Sequence, residues 1–190
     1  MTHTNSLSFL PNGDILVSNR HLDQLIAVKP DFSGIDWTLG GYGSSFTFPN
    51  PNDQFYHQHN AKMLPNGDIL LFDNGNLRPD AQGGQYSRAE ELKLDFATMQ
   101  ATKVWEYRNT PDLFSSAVGS VFRFANGDTV IDFGIDTNTT ENPSVFTVVE
   151  ADSGGKPVAV TTISSPGKGD QYRAIPAVTL NGETKGSILP

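Results

Sequence analysis

The chain has 190 residues, no cysteine, and a formal net charge of -8 from 13 basic and 21 acidic residues. The lack of cysteine excludes disulfides, thiolate metal sites and a cysteine nucleophile. The acidic balance argues against duplex nucleic acid or an anionic membrane as the main partner. The sequence also shows no apolar run long enough to span a bilayer and no signal peptide after Met1.

One short phrase, Leu-Pro-Asn-Gly-Asp or a variant of it, occurs four times, at residues 10–14, 64–68, 124–128 and 180–183. An Asn-Gly pair between apolar runs is typical of a tight β-hairpin, and a type I′ turn would place both residues at positive φ. The four copies are about 54 to 60 residues apart, which suits a four-stranded propeller blade with large loops. The chain is therefore predicted to repeat one blade.

In chain order, we predict blades at residues 3–55, 56–115 and 116–170, with an incomplete fourth blade at 171–190. Short apolar or alternating runs supply four strands in each complete blade, and very little helix is expected. The predicted fold class is all-β, a β-propeller of four-stranded antiparallel blades that forms one domain over residues 1–190. Because a propeller needs at least four blades to close, we expect about three and a half blades of a larger ring, a fragment.

Histidines recur at equivalent places before the turns. Counting back nine residues from the turn Asn gives His3 and His57, and counting back seven gives His59. The first strand of every propeller blade lines the central channel, so we expect these histidines to meet, together with Tyr172 or Arg173. Imidazoles with pKa values near neutrality, facing a guanidinium, suit acid-base or nucleophilic chemistry on an anionic group.

Other interpretations of these residues are structural. A histidine at the start of a strand is commonly a hydrogen-bonded polar residue. His57 and His59 lie on one face of a strand without a third ligand, so neither a metal site nor a cofactor is predicted. His21 follows a strand in a turn, where a solvated role is favoured. Trp37 and Trp105 occupy similar late-strand places and are predicted to pack between blades.

Six short motifs follow one another in a fixed order. They are His-Thr-Asn-Ser at 3–6, Ser-Asn-Arg-His at 18–21, Gln-His-Asn-Ala at 58–61, Phe-Asp-Asn-Gly at 72–75, Ser-Arg at 87–88 and Val-Trp-Glu-Tyr at 104–107. Together they resemble the bacterial arylsulfotransferase family, whose fold is a six-bladed propeller. The resemblance runs from His3 to about Asp132. It implies transfer of sulfate from an aryl sulfate donor to a phenolic acceptor, without a nucleotide sulfate donor, in a periplasmic or secreted protein.

The resemblance also assigns roles to residues. His3 matches the first site histidine of the family, and His59 matches the histidine of its Gln-His motif. The family's arginine matches Arg78 by its spacing after the Asp-Asn-Gly loop, or Arg88 in the Ser-Arg motif, and Arg78 is favoured. The family reacts by a ping-pong route through a sulfated histidine, and the arginine would bind the sulfate oxygens by forked hydrogen bonds.

The chain departs from the family at its nucleophile. In active members the sulfated histidine comes from a later blade, whereas all four histidines here lie at or before His59. Either the nucleophile lies beyond residue 190, or transfer has been lost, or His57 or His59 takes the role. The alternative function is a non-catalytic propeller that binds a small anion or a protein partner. In that structural interpretation, Arg88 is a buried partner of Glu90 or Asp95 and Arg78 is a solvated loop cation.

Overall fold

The computed structural model describes residues 2–135, 144–165 and 171–176. Its twelve strands are β1 (Thr4–Phe9), β2 (Ile15–Asn19), β3 (Gln24–Val28), β4 (Ile35–Leu39), β5 (His59–Met63), β6 (Ile69–Asp73), β7 (Arg88–Asp95), β8 (Gln100–Arg108), β9 (Ser120–Arg123), β10 (Thr129–Phe133), β11 (Ser144–Ala151) and β12 (Pro157–Ser165). Short 3-10 turns lie at Arg20–Leu22, Pro51–Asp53 and Asp80–Gln82. No helix in the described ranges is long and apolar enough to cross a membrane.

The strands form three antiparallel sheets, each of four strands in chain order: β1 to β4, β5 to β8, and β9 to β12. This arrangement confirms the predicted all-β propeller blades. The segment at 88–95 is a strand, as its alternation of apolar residues predicted. The fourth Asn-Gly pair, Asn181 and Gly182, lies outside the described residues, and the number of blades in a closed ring stays a prediction.

The repeated Asn-Gly phrase joins the first two strands of each blade. In the first blade the Gly13 N–H donates to the Leu10 carbonyl (2.9 Å), and the Leu10 N–H donates to the Asp14 carbonyl (2.8 Å). Gly13 has φ +90°, but Asn12 does not take the left-handed conformation, so the type I′ prediction is wrong. Pro11 stands at the first central position, where its fixed φ near -65° suits a type I turn, and the glycine forms the bulge that follows.

The Asn and Asp of the phrase hold the turn together. Asn12 Oδ1 accepts a hydrogen bond from the Asp14 N–H (3.1 Å), and Asn12 Nδ2 donates to Asp14 Oδ2 (2.9 Å). The same two bonds recur in the turns at 64–68 and 124–128. Such short side-chain bonds to nearby backbone favour turns over other local structure. Turn geometry therefore accounts for the repeated phrase.

The core lies between the blades, on both faces of β6. Ile69 and Leu71 belong to the apolar cluster shared with the first blade, whereas Leu70 and Phe72 belong to the cluster shared with the third. All four are fully buried, and burying each stabilises the fold by about 1.5–3 kcal/mol. The two clusters also include or contact the residues predicted to pack between blades, Trp37 and Trp105.

The first strands of neighbouring blades contact each other, and hydrogen bonds fix their relative positions. Ser6 Oγ accepts a hydrogen bond from the Ala61 N–H (3.2 Å), linking β1 to β5. Asn60 Oδ1 accepts one from the Val121 N–H (3.0 Å), linking β5 to β9 in the same way. Because the bonds repeat, the N-terminal ends of the three first strands lie side by side.

Residues 171–176 continue this series beside β9. Ser120 Oγ accepts a hydrogen bond from the Ala174 N–H (3.1 Å), so Ala174 takes the place that Ala61 and Val121 hold in the preceding blades. Arg173 Nη2 donates to the Asn5 carbonyl (2.9 Å), a contact between residues 168 positions apart. The start of the fourth repeat therefore reaches back to the first blade.

Candidate functional site

Four histidines gather at the N-terminal ends of the first strands; we call this group the histidine cluster. The ring centroids of His3 and His59 are 6.2 Å apart, those of His3 and His21 4.9 Å, and those of His21 and His57 5.9 Å. The structure thus brings together His3, His57 and His59, as the counting predicted. His21 is exposed, in keeping with its turn, yet its ring joins His3 to His57.

The backbone at two of these histidines is unusual. His3 and His57 lie in the left-handed region, at φ +54° and +56°, where an L-residue is typically strained by about 1–2 kcal/mol. Hydrogen bonds hold both in place: the His3 carbonyl accepts from the Arg20 N–H (3.0 Å), and the His57 N–H donates to Asp23 Oδ1 (2.6 Å). The turn after β2 therefore positions the histidines of two different blades.

His59 is the most buried member, with 2% of its surface exposed. Its Nδ1 lies 2.6 Å from Asn74 Oδ1. Asn74 Nδ2 donates to the carbonyls of Ser115 (2.8 Å) and Val118 (2.9 Å), and carbonyls only accept, so the amide orientation is fixed. The histidine nitrogen that faces Oδ1 must donate, which makes Nδ1 the protonated atom and leaves the ring lone pair on Nε2.

Three histidines of the cluster, His3, His57 and His59, have lowered pKa values, which favours their neutral forms. Burial lowers the pKa of His59 to about 4, although the hydrogen bond that its Nδ1 donates to Asn74 acts in the opposite direction. Burial also lowers the pKa values of His3 and His57, and the positive charge of Arg20 lowers each further. His57 Nδ1 lies 3.1 Å from Asp23 Oδ1, in contact but outside hydrogen-bond geometry, and the Asp23 charge raises the His57 pKa.

The two arginines singled out by the sequence lie in a buried ion-pair network behind the cluster. Asp73 Oδ2 accepts from Arg78 Nη2 (2.6 Å) and from Arg88 Nε (2.9 Å). Asp73 Oδ1 accepts from the N–H groups of Tyr56 (2.9 Å) and Gly75 (3.0 Å). Arg78 is 3% exposed, so the interpretation of it as a solvated loop cation is wrong.

Arg88 is bonded on every side. Its Nη2 lies 2.8 Å from Glu90 Oε2, and its Nη1 donates to Glu106 Oε2 (3.2 Å). The structural interpretation of Arg88 as a buried partner of Glu90 is therefore correct in its geometry, and Asp95 is not involved. Across the described residues, no hydrogen bond joins Arg78 or Arg88 to a histidine. Asp73 is the residue before Asn74, and Asn74 is bonded to His59. The network is therefore linked to His59 through Asn74.

Sequence reasoning missed two residues of the site and misplaced a third. Arg20 and Asn74 both bond to the loop at 115–118 beside the cluster. They lie in the Ser-Asn-Arg-His motif at 18–21 and the Phe-Asp-Asn-Gly motif at 72–75. Tyr172 lies with its ring centroid 6.5 Å from that of His59. The hydrogen bonds of the first strands match Tyr172 to His59, whereas counting from the turn matched it to His57.

The site shows no arrangement suited to a metal ion. Within the part of the chain that the structure describes, no group of three or more His, Asp or Glu side chains could hold one. The cluster instead offers imidazoles, three of them with lowered pKa values, beside the guanidinium of Arg20. Such a set can bind an anion, move a proton, or attack an electrophile through Nε2 of His59.

Comparisons with known proteins identify related sequences. The family profile described as arylsulfotransferase (ASST) matches residues 2–173. Arylsulfate sulfotransferase AssT of Lelliottia amnigena is 29% identical over 133 residues, which cover 65% of this chain and 22% of that protein. The protein of the same name from Escherichia coli O6:H1 is 31% identical over 133 residues, with the same two coverages. The chain therefore spans less than a quarter of the length of these relatives.

A solved structure supports the fold alone. A protein of unknown function from Bacteroides caccae superposes with a TM-score of 0.53 at 15% sequence identity, covering 84% of this chain and 50% of that one. The family itself rests on the profile, because that match covers nearly the whole sequence, including every member of the histidine cluster. The chain belongs to the arylsulfotransferase (ASST) family.

Proposed function

We propose that the chain is part of an aryl sulfate sulfotransferase that moves a sulfuryl group from a phenolic sulfate ester to a phenol. The proposal needs no nucleotide sulfate donor and no cofactor, and it places the protein outside the cytoplasm, as the family resemblance implies. Membership of the family supports sulfuryl transfer in general. The observation that carries the proposal at this site is the neutral His59, whose Nδ1 is bonded to Asn74 so that Nε2 is the nucleophilic atom.

The proposed reaction has two steps. His59 Nε2 attacks the sulfur of the aryl sulfate; an N–S bond forms, the S–O bond to the aryl group breaks, and the aryl oxide leaves and takes a proton from solvent. The acceptor phenol then gives its proton to the neutral His3, whose ring lies 6.2 Å from that of His59. The oxygen of the acceptor phenol attacks the sulfur, an O–S bond forms, and the N–S bond to His59 breaks. His57 is the second candidate for either role.

The arginines enter this proposal through Asp73. Arg78 and Arg88 neutralise its carboxylate and fix the backbone next to Asn74, which in turn orients His59. The expectation that Arg78 binds the sulfate oxygens directly stays a prediction. It requires a sulfuryl oxygen to share donors that Asp73 occupies in this structure.

The experiment is intact mass of the purified chain after incubation with 4-nitrophenyl sulfate, followed by peptide mapping of acid-labile adducts. We expect a sulfo group on His59 in the native chain, and no adduct in His59→Gln. His57→Gln is the matched variant, because its ring lies in the same cluster and it is expected to keep the adduct. A folded native chain that releases nitrophenol without an adduct, or that stays unmodified, argues against His59 as the nucleophile.

The alternative is a non-catalytic propeller that binds a small anion or a protein partner through the same residues. The observation in its favour is that residues 60–190 contain no histidine, although the family resemblance implies a sulfated histidine from a later blade. In this case the native chain binds an aryl sulfate reversibly and releases no phenol. Equilibrium dialysis with the recovered donor analysed for intact ester separates the two functions.

A further inference from the structure

A groove opens between the first strands of blades one and two at their turn ends, opposite to the histidine cluster. It has a volume of about 480 Å³ and is lined by residues 8–11, at the end of β1, and residues 62–65, at the end of β5. Phe9 is 82% exposed, and Lys62 is the only charged residue among those that line the groove. Apolar walls with one charged group are typical of a pocket for a small ligand.

Lys62 is buried without the partner that a buried lysine normally has. The residue is 9% exposed, and its Nζ lies 3.7 Å from the centroid of the Phe122 ring on β9. Lysine is rarely so buried unless a carboxylate neutralises its charge. Over residues 2–135, 144–165 and 171–176, no carboxylate lies within ion-pair distance of Lys62. Within those ranges the ammonium is stabilised by the face of an aromatic ring.

The surroundings of Lys62 disfavour its charged form. Burial lowers the pKa of Lys62 to about 8, and the positive charge of Arg173 lowers it further. A group with this pKa is still mostly protonated at pH 7, so the groove carries a positive charge. An anion bound beside Nζ would offset both effects, because it supplies the opposite charge that neighbouring side chains do not.

We infer that Lys62 and this groove form a second binding site, which takes a single aromatic ring with one anionic oxygen group. The anionic group binds the Lys62 ammonium, and the ring packs against Phe9 and the apolar turn residues. Lys62 lies three residues beyond His59 on β5, about 10 Å farther along the strand. The site is therefore distinct from the histidine cluster, and the inference does not depend on sulfuryl transfer.

The test uses benzoate, which has a ring and a carboxylate but no group to transfer. Affinity is measured by isothermal titration calorimetry on the native chain, Lys62→Met and Lys93→Met. Because Lys62→Met removes a charged partner, we expect it to weaken binding by about tenfold. Methionine has a similar length and suits a position against an aromatic ring. Lys93→Met is the matched control, because Lys93 is exposed on β7 of the same blade, and it should bind as the native chain does.

A second pair of measurements tests the contribution of the ring. Acetate, which has the carboxylate alone, should bind the native chain much more weakly than benzoate. Phe9→Ala should weaken benzoate binding by about threefold, since it removes one aromatic contact and keeps the charge. Phe9 is exposed, so this variant should fold. It decides the matter if circular dichroism shows that Lys62→Met does not.

Equal benzoate affinity of folded Lys62→Met and the native chain would overturn the inference, and so would a native chain without saturable binding. If His59→Gln rather than Lys62→Met loses the binding, benzoate lies at the histidine cluster and the groove is not its site. The outcomes separate this inference from the proposed transfer. A native chain that forms a sulfo adduct but binds no benzoate through Lys62 keeps the transfer and removes the second site. A native chain that binds benzoate through Lys62 and never forms an adduct does the reverse.

Discussion

The two ends of the first strands of the blades obey different rules. At the end that enters the Asn-Gly turn, the three described blades are alike, with the same backbone bonds, the same glycine conformation and the same Asn-Asp pair. At the opposite end they differ. The first two blades place histidines there, the third places the loop at 115–118, and the fourth repeat places Tyr172.

This difference separates what makes a blade from what makes the site. Each blade has the same turn and the same packing against its neighbours, so the same residue types are favoured at the turn of every blade. The opposite ends meet residues of other blades, and there each position is free to carry its own chemistry. The end at the Asn-Gly turn, the regular end, therefore indicates where the strands lie. The opposite, irregular end carries the side chains of the candidate site.

A second contrast lies within the irregular end, between the neutral histidine cluster and the charged network of Asp73. The network should matter for folding above all. Asp73→Asn removes the charge that two buried guanidinium groups share, with little change of volume. Because breaking a buried ion pair leaves its partner uncompensated, we expect a loss of about 3–5 kcal/mol in the free energy of unfolding, measured by urea denaturation.

Asp112→Asn is the control for this change. It breaks the ion pair with Arg108, in which both side chains are about 40% exposed, and a pair of that kind contributes about 0–1 kcal/mol. If Asp73→Asn were no more destabilising than Asp112→Asn, the network would not support the fold. Direct contact with the substrate would then better explain the presence of Arg78 and Arg88.

The histidine cluster should make the free energy of unfolding depend on pH. Burial lowers the pKa of His59 to about 4, so between about pH 6.5 and pH 4 the unfolded chain binds a proton that the folded chain does not. Stability from this residue is therefore present above pH 6.5 and is lost as the pH falls, by up to about 3 kcal/mol. We expect the unfolding free energy of His59→Gln to depend less on pH than that of the native chain across this window.

The native chain must be compared with His59→Gln because other groups change the stability with pH in the opposite direction. Burial raises the pKa of Asp132 to about 7 and that of Glu90 to about 8, so their contributions are lost as the pH rises. These contributions are common to the native chain and the variants and cancel in the difference. His57→Gln should give the same sign with a smaller amplitude, since burial also lowers its pKa but less completely. Parallel curves for the native chain and His59→Gln would contradict the buried neutral histidine.

Much of the fold was predictable from sequence because its signals are local. Period-two alternation gives the strands, the turn phrase gives the hairpins, and Trp37 and Trp105 follow the blade repeat into the core. The turn type was mispredicted because the Asn-Gly pair was taken as the centre of the turn. The residue before the asparagine takes the first central position, Pro11 in the first copy and Ala125 in the third, and both copies form the same backbone bonds.

The site was predictable only in part, because its geometry comes from contacts between blades. Counting brought His3, His57 and His59 together, since a repeat places equivalent positions near one axis. No count reveals that Arg20 reaches Ser116, which is 96 residues away, or that Asn74 fixes the proton of His59. Those bonds depend on how one blade meets another.

The smallest effects test the regular end. Asn12→Ala, Asn66→Ala and Asn126→Ala each remove the same two turn hydrogen bonds, and each should cost about 1 kcal/mol by urea denaturation. Asn66→Ala should exceed the others, because Asn66 Nδ2 also donates to Glu91 Oε1 (3.2 Å). Gly34→Ala is the control, since an added Cβ there meets no atom within 4 Å, and a change within about 0.5 kcal/mol is expected. If an Asn→Ala variant lost no more stability than Gly34→Ala, the asparagine of that turn would not stabilise the hairpin.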